Sequence, residues 1–179
     1  MVNHHTSLLF PPLAKGRDTG WDRKNMKTNA IRILESKNIT HSIIEYKSNE
    51  EEIDAVSVAN KIRALPETVF KTLIARNDRN EIIVFVIPGN FELNLKKAAK
   101  ASGSKSVEMI KVKELQPLTG YIRGGCSPIG MKKLFPTFID ETARLYDTIY
   151  CSAGVRGIQV NISSFDLALL INADFANLI

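Results

Sequence analysis

The sequence predicts an α+β fold in a single domain built on a mixed sheet. Short strand-like runs and short helical patterns follow one another without the regular βαβ alternation that produces a parallel sheet. The chain has 179 residues, which is long enough to bury one continuous core without disulfides or metal. It contains no internal repeat and no low-complexity tract. We therefore expect one domain over residues 26–179, preceded by a dissimilar segment at residues 1–25.

Residues 1–25 differ in composition from the rest of the chain. They contain the only tryptophan, Trp21, two adjacent prolines and two of the three histidines, with no consistent hydrophobic period. We interpret them as a flexible leader or an expression remnant, with Met26 as a natural start. A short docking segment is the alternative.

Hydrophobic periodicity and turn residues predict the individual elements. The predicted helices are one that is capped at residue 28 or 29 and ends near residue 37, then 53–65, 95–102, a helical turn at 111–115 before Pro117, and 165–171. The predicted strands are 42–46, 69–75, 81–87, 107–110, 137–140, 148–151 and 158–162. A polar turn joins strands 69–75 and 81–87, which predicts a hairpin. Asn94, and Ser163 with Asp166, are expected to cap the helices that follow them.

Charge and cysteine content exclude some function classes and leave others open. The net charge of +5 is compatible with nucleic-acid binding but is too small to be evidence for it. The two cysteines, Cys126 and Cys151, form no CxxC pair and suggest no disulfide framework. No apolar run approaches the length of a membrane span, and no secretory signal is recognisable. We therefore expect a cytoplasmic protein without a membrane partner.

A glycine-rich stretch at residues 120–130 is the strongest local signal. It holds four glycines together with Ser127 and Pro128, so it cannot form one regular helix or strand. Backbone N–H groups brought together in this way suit an oxyanion or a phosphate. Arg123 within it and two lysines after it add positive charge. The alternative is a tight loop between two strands.

Lys71 is unusual because it lies inside a predicted strand, between Phe70 and Leu73. A lysine in a buried strand costs free energy unless it is paired or faces a cavity. It is therefore a candidate for the site. An edge-strand lysine with its amine in solvent is the alternative.

The side chains available for chemistry favour an electrostatic site. Outside the first 25 residues the chain has one histidine, His41, and no zinc-type spacing, so we expect no metal and no cofactor. Cys126 is a possible nucleophile, but a thiol packed behind the loop is the favoured interpretation. Lys71, the glycine-rich stretch and a second glycine turn at residues 152–157, with Ser127, Ser152 and Arg156, can bind an anion and polarise a carbonyl. Such a site catalyses acyl transfer without a protein nucleophile if the substrate supplies its own.

Four motifs in order resemble one known family. They are FKTL at residues 70–73, GYIRGGCSPIG at 120–130, PTFID at 136–140 and SAGVRG at 152–157. Together they are similar to the YbaK/EbsC family of Cys-tRNA(Pro) deacylases, which is related to the editing domain inserted in prolyl-tRNA synthetase. The similarity extends from about Met26 to the C-terminus. It implies a curled, largely antiparallel mixed sheet flanked by short helices.

The resemblance also implies an activity and a set of site residues. The activity is hydrolysis of the ester that links a mischarged amino acid to the tRNA 3′ end. The implied catalytic residues are Lys71, Gly124, Gly125 and Ser127. The implied substrate-binding residues are Tyr46, Thr72, Pro128, Asp140, Ser152, Gly154 and Arg156. In this scheme the lysine holds the phosphate or ester region of the terminal adenosine, and the glycine loop cradles the scissile carbonyl.

The resemblance further implies a mechanism and partners. In the cysteine-specific branch the substrate's own thiol is expected to attack the ester and release a cyclic thioester. The expected partners are the tRNA(Pro) acceptor end and prolyl-tRNA synthetase. Gln159 stands where some members carry an acid, which bears on the amino-acid range of the pocket. Two alternatives remain: a deacylase for another amino acid that uses a bound water, and a non-catalytic module that binds a nucleotide or the acceptor end.

Overall fold

The computed structural model describes residues 27–49 and 53–179, so the expectation for residues 1–25 lies outside the described residues. The helices are α1 Asn29–Ser36, α2 Ala55–Ile62, α3 Leu95–Ala101, α4 Val112–Thr119 and α5 Ser164–Ile171. The strands are β1 His41–Glu45, β2 Phe70–Asn77, β3 Ile82–Pro88, β4 Val107–Met109, β5 Thr137–Asp140, β6 Ile149–Ser152, β7 Ile158–Ile162 and β8 Ala173–Ala176. Two 3-10 helices, Pro66–Thr68 and Glu141–Leu145, complete the described elements.

The strands form two sheets. The smaller sheet has the order β1-β7-β6, and both of its pairings are antiparallel. The larger has the order β4-β2-β3-β5-β8, in which β5 runs parallel to both β3 and β8. A single parallel bridge between Val69 and Tyr150 connects the two sheets. The α+β class and the mixed, largely antiparallel pairing are confirmed, with the strands divided between two sheets where one was expected.

Local sequence signals account for most of the element boundaries. The hairpin is confirmed, because β2 and β3 pair antiparallel from Phe70 opposite Pro88 to Arg76 opposite Ile82. The predicted caps also form: the side chain of Asn94 accepts from the backbone N–H groups of the first turn of α3, and Ser163 does so for α5. Each cap satisfies donors that have no partner within the helix.

The prediction that α4 would stop before Pro117 was wrong. The helix runs on to Thr119 and ends at Gly120, whose φ of 86° is readily adopted by glycine. A proline removes one hydrogen bond within a helix, but here only two helical residues follow it, so one weakened turn suffices.

Strand β8 was not predicted. Its four residues, Ala-Asp-Phe-Ala, include no β-branched side chain and carry little strand propensity. They become a strand because they pair in parallel with β5, from Thr137 opposite Ala173 to Asp140 opposite Ala176. This pairing is tertiary and leaves no local signal.

Strand β3 is buried on both faces, which explains its uninterrupted apolar sequence. Val84 and Val86 pack in the main core, with α1, α5 and the strands of the smaller sheet. Phe85 and Ile87 pack in a second core on the opposite face, against α3. None of the helices in the described ranges is long and apolar enough to cross a membrane.

Candidate active site

A cavity of about 690 Å³ lies beside one edge of β2. The neighbouring strand β4 pairs with β2 only over Ala75–Asn77. Over residues 70–74, β2 therefore borders the cavity in place of another strand of its sheet. The other walls are the start of α2, the connection from β4 into α4, part of the glycine-rich stretch, and the ends of β6 and β7. Both sheets therefore contribute to one site.

Lys71 lies in the cavity wall on β2, with 23% of its side chain exposed. Its Nζ is 3.2 Å from Oε1 of Glu92, whose side chain is 94% exposed. An ion pair with so exposed a partner contributes little free energy and is easily exchanged. The ammonium of Lys71 is therefore held at the cavity by its strand and can change its partner for an anionic ligand.

Two polar side-chain atoms of residues that line the cavity are buried and have no hydrogen-bond partner in the described part of the chain. They are Oγ1 of Thr72 on β2 and Oε1 of Gln159 on β7. Ser152 lies directly opposite Gln159 in the β6–β7 pairing, and its Oγ accepts from the backbone N–H of Gly154 at 3.2 Å. Because unpaired buried polar groups are rare and costly, these two atoms point to a polar ligand.

The glycine-rich stretch at residues 120–130 packs directly against the glycine turn at residues 152–157. A Cβ added at Gly125 would lie 3.2 Å from the backbone of Val155 and Arg156. Gly124 has φ +82°, and a Cβ added there would lie 2.9 Å from Cβ of Ile53. Nε of Arg156 donates to the Arg123 carbonyl oxygen at 3.0 Å. The glycines therefore permit a close backbone contact between the two turns.

Tyr121 holds the two turns in place. Its hydroxyl donates to the Ile129 carbonyl oxygen, and a Cβ added at Gly154 would lie 2.8 Å from its ring. Burial is the main reason that the pKa of Tyr121 is raised to about 12. The phenol therefore remains a hydrogen-bond donor at physiological pH, and the ring serves as a fixed support behind the turns.

Cys126 lines the cavity, but its environment does not activate it. Burial raises the pKa of the thiol to about 12, and a hydrogen bond with Thr119 offsets only part of that shift. Since the thiolate is the nucleophilic form of cysteine, this side chain is essentially inert near neutral pH.

The structure brings four of the sequence-predicted site residues to the cavity wall and places the others elsewhere. Those that line the cavity are Lys71, Thr72, Gly124 and Ser152. Gly125, Ser127, Pro128, Gly154 and Arg156 belong to the paired turns around it but do not line it. Tyr46 borders a separate small cavity with Lys61, and Asp140 lies at the end of β5.

The contacts of two of these residues favour structural roles. Ser127 is fully buried, and its Oγ accepts from the backbone N–H of Ile129 at 3.2 Å, which shapes the loop. The carboxylate of Asp140 accepts from the backbone N–H groups of Thr142 and Leu178, which ties the C-terminus to β5. Both side chains are satisfied without a ligand.

Sequence reasoning missed the apolar part of the cavity. Residues of α2 and of the β4–α4 connection form it, among them Val56, Val58, Ile110 and Val112. Each of these has the signal of an ordinary amphipathic element, and nothing in the local sequence distinguishes a cavity wall from a core. Within residues 27–49 and 53–179, no group of three or more His, Cys, Asp or Glu side chains is placed to hold a metal ion.

Comparison with known proteins identifies the family. Residues 50–170 match the model of the aminoacyl-tRNA editing domain. The Enterococcus faecalis protein EbsC, which is named as a candidate Cys-tRNA(Pro)/Cys-tRNA(Cys) deacylase, is 45% identical over 156 residues, covering 87% of this chain and 95% of EbsC. The proline–tRNA ligase of Shouchella clausii is 28% identical over 123 residues, which are 68% of this chain and 21% of the ligase.

A solved structure supports the same fold. It is a candidate trans-editing enzyme for prolyl-tRNA synthetase, with a TM-score of 0.72 and 22% identity, and the match covers 84% of this chain and 97% of that one. The family model spans more than half of the chain, and EbsC is similar over almost its whole length. The chain belongs to the family of aminoacyl-tRNA editing domains, which are deacylases of aminoacyl-tRNA.

Proposed function

We propose that the chain, through a domain that extends over residues 26–179, removes cysteine from mischarged Cys-tRNA(Pro) as a trans-editing deacylase in the cytoplasm. The observation that carries the proposal is a cavity with an ammonium group in its wall, in which Cys126, the one cysteine among the described lining residues, is not activated as a nucleophile. The similarity to EbsC over 95% of that protein supports cysteine as the amino acid.

The proposed reaction uses the thiol of the substrate. The cysteine sulfur attacks the ester carbonyl, a C–S bond forms, and the C–O bond to the ribose breaks. The thiol proton passes to the departing ribose oxygen, so the products are a cyclic thioester of cysteine and a free tRNA 3′ end. The protein's part is to hold the reacting atoms together and to stabilise negative charge as it develops.

Lys71 is the residue proposed to supply that charge stabilisation. Its Nζ reaches the cavity from a rigid strand, and it would exchange the exposed Glu92 for the ester region or the phosphate of the terminal adenosine. The backbone at Gly124 lies across the cavity as the candidate cradle for the carbonyl. Prolyl-tRNA synthetase is the proposed partner, since the small net charge provides only weak, salt-sensitive attraction for tRNA.

The test of this function is a deacylation time course on three substrates: Cys-tRNA(Pro), Ala-tRNA(Pro) and Pro-tRNA(Pro). We expect rapid loss of cysteine alone. Loss of alanine from Ala-tRNA(Pro) at a comparable rate would instead favour a bound water as the nucleophile. If none of the substrates is hydrolysed, the alternative of a non-catalytic acceptor-binding module replaces the proposal.

Lys71→Ala is expected to lower kcat/KM for Cys-tRNA(Pro) by about 10²–10³-fold. This is the typical loss when an enzyme loses one group that stabilises the negative charge of the transition state. Lys96→Ala is the matched control, because Lys96 is an exposed lysine on α3 that does not line the cavity. Circular dichroism establishes that both variants fold. Equal rates for the two folded variants would contradict the role of Lys71.

A further inference from the structure

We propose that Gln159 and Thr72 accept hydrogen bonds from the α-amino group of the aminoacyl ester, so that the cavity selects amino acids with a primary amine over proline. This inference rests on the proposed function, because it assumes that the cavity receives an aminoacyl ester. It gives Gln159 a role in selecting the amino acid, and it names the α-amino nitrogen as the ligand atom that Thr72 contacts.

Gln159 is held rigidly in the cavity wall. Its strand β7 is the centre of the smaller sheet, so residue 159 is paired with Ile44 on one side and Ser152 on the other. Gln159 is only 5% exposed, and its Oε1 has no hydrogen-bond partner within the described residues. A buried carboxamide oxygen that accepts no hydrogen bond destabilises the protein without ligand. A ligand that donates a hydrogen bond to this oxygen removes that cost and is therefore bound more tightly.

Thr72 presents a second acceptor from the opposite sheet. It lies on the same face of β2 as Phe70 and Ile74, which are both buried in the main core. Its Oγ1 is buried and, in the described part of the chain, also lacks a partner. A valine would fill a similar volume without this cost, so the hydroxyl is best explained by a polar ligand.

The charges around the cavity indicate which ligand donor these oxygens accept. The carboxylate of Asp54 is occupied by the backbone N–H and hydroxyl of Ser57, and Glu92 is exposed beside Lys71. Neither offers a buried acceptor, whereas the neutral oxygens of Thr72 and Gln159 are buried and unpaired within the described residues. An α-amino group carries two or three N–H donors and matches them, whereas a thiol has one weak donor.

The proposed reaction supports the same assignment. The sulfur of the substrate must approach the ester carbonyl, so it is not free to remain bound in the cavity wall. The α-amino group does not take part in bond making and can anchor the substrate throughout. Proline has one N–H fewer and a ring carbon bonded to its nitrogen, so it can reach both acceptors in fewer orientations and brings a ring methylene against the polar wall, which is a basis for rejection.

The first experiment measures binding, which does not depend on turnover. The probes are two non-hydrolysable amides of 3′-amino-adenosine, one carrying cysteine and the other 3-mercaptopropionate, which keeps the thiol and lacks the α-amino group. By calorimetry we expect the wild type to bind the cysteinyl probe about 10–100-fold more tightly, the range for hydrogen bonds to a charged group. Equal affinities, or no binding of either probe, would overturn the inference.

The variants localise the effect. Gln159→Met keeps the length of the side chain and should reduce the preference for the cysteinyl probe to within about threefold, by weakening that probe alone. Gln159→Glu retains acceptor oxygens and should keep the preference. Gln116→Met is the matched control, since Gln116 is exposed on α4 and does not line the cavity. Equal weakening of both probes by Gln159→Met would indicate a merely structural residue and overturn the inference.

Thr72→Val provides an independent variant if Gln159→Met does not fold. It removes one acceptor at nearly constant volume and should lower the preference by about threefold to tenfold. If Thr72→Val leaves the preference unchanged, Thr72 is not an acceptor and the inference fails. Turnover of Cys-tRNA(Pro) is then measured separately: binding with the expected preference but without deacylation contradicts the proposed function and leaves this inference standing.

Discussion

The thiol of Cys126 is the only cysteine sulfur in the cavity wall among the described residues, and its surroundings keep it protonated. With a pKa of about 12, the thiolate makes up on the order of 10⁻⁴ or less of the side chain near neutral pH. A catalytic cysteine needs the opposite environment, with a cation or a helix N-terminus that lowers the pKa. The side chain therefore contributes packing rather than nucleophilic chemistry.

We expect Cys126→Ala to retain kcat/KM for Cys-tRNA(Pro) within about threefold, because an inert thiol can be removed at the cost of some packing alone. The pH profile of kcat/KM should also be unchanged between pH 6 and 9. Rates and profiles are measured beside the wild type at equal folded fraction. A loss above 100-fold in a folded variant would make Cys126 a nucleophile and contradict the substrate-thiol mechanism.

Single residues also show how far sequence reasoning reached into the site. Lys71 was found because a charge inside an apolar strand is costly and needs a reason. The unpaired oxygens of Thr72 and Gln159 could not be found in this way, because whether a polar atom has a partner depends on the packed environment. Ser127 illustrates the opposite case, since its hydroxyl serves the loop itself.

At the scale of elements, the glycine turns matter through what they pack against. Gly154 has φ +98°, and a Cβ there would lie 2.8 Å from Cε1 of Tyr121. Gly103, after α3, also has positive φ, at +62°, but a Cβ there meets nothing within 4 Å. Comparing a substitution at Gly154 with the same substitution at Gly103 therefore separates the cost of backbone strain from the cost of the contact with Tyr121.

We expect Gly154→Ala to lower the free energy of unfolding by about 2–4 kcal/mol, because a left-handed backbone and an overpacked ring contact both contribute. Gly103→Ala should cost about 1–2 kcal/mol from backbone strain alone. Urea unfolding followed by circular dichroism measures both. Equal losses in the two variants would show that Tyr121 does not hold the turns.

The elements were predicted well where their signal is local. Strands 137–140 and 158–162 agree with β5 and β7, and the caps at Asn94 and Ser163 form. The prediction failed where a structure depends on distant pairing. Strand β8 exists because β5 lies beside it, and the division into two sheets follows from pairings between strands far apart in the chain. Neither has a local pattern to detect.

At the scale of the whole molecule, the site depends on how the two sheets are joined. Thr72 comes from the larger sheet, and Ser152 and Gln159 come from the smaller one. The parallel bridge between Val69 and Tyr150 links the two sheets close to these residues in sequence. The proposed amine acceptors therefore lie in one cavity only when both sheets are folded and joined.

The stability of the folded protein should decline in alkaline solution because both thiols are buried. Burial raises the pKa of Cys126 and of Cys151 to about 12, whereas an unfolded thiol ionises near pH 8.5, approximately. Below that pH the thiols are protonated in both the folded and the unfolded protein, so their contribution to the free energy of unfolding is fully present. As pH rises from about 9 towards 12, the unfolded state releases protons that the folded state retains, so the free energy of unfolding falls.

Each buried thiol should contribute a slope of up to about 1.4 kcal/mol per pH unit above pH 9. Urea unfolding at pH 7, 9, 10 and 10.5, followed by circular dichroism, measures the total. Cys126→Ala removes one thiol and should reduce the slope by about that amount, while the values at pH 7 differ only by a constant offset. Identical slopes for the wild type and Cys126→Ala would show that the Cys126 thiol already ionises in the folded protein, which would also reopen its role as a nucleophile.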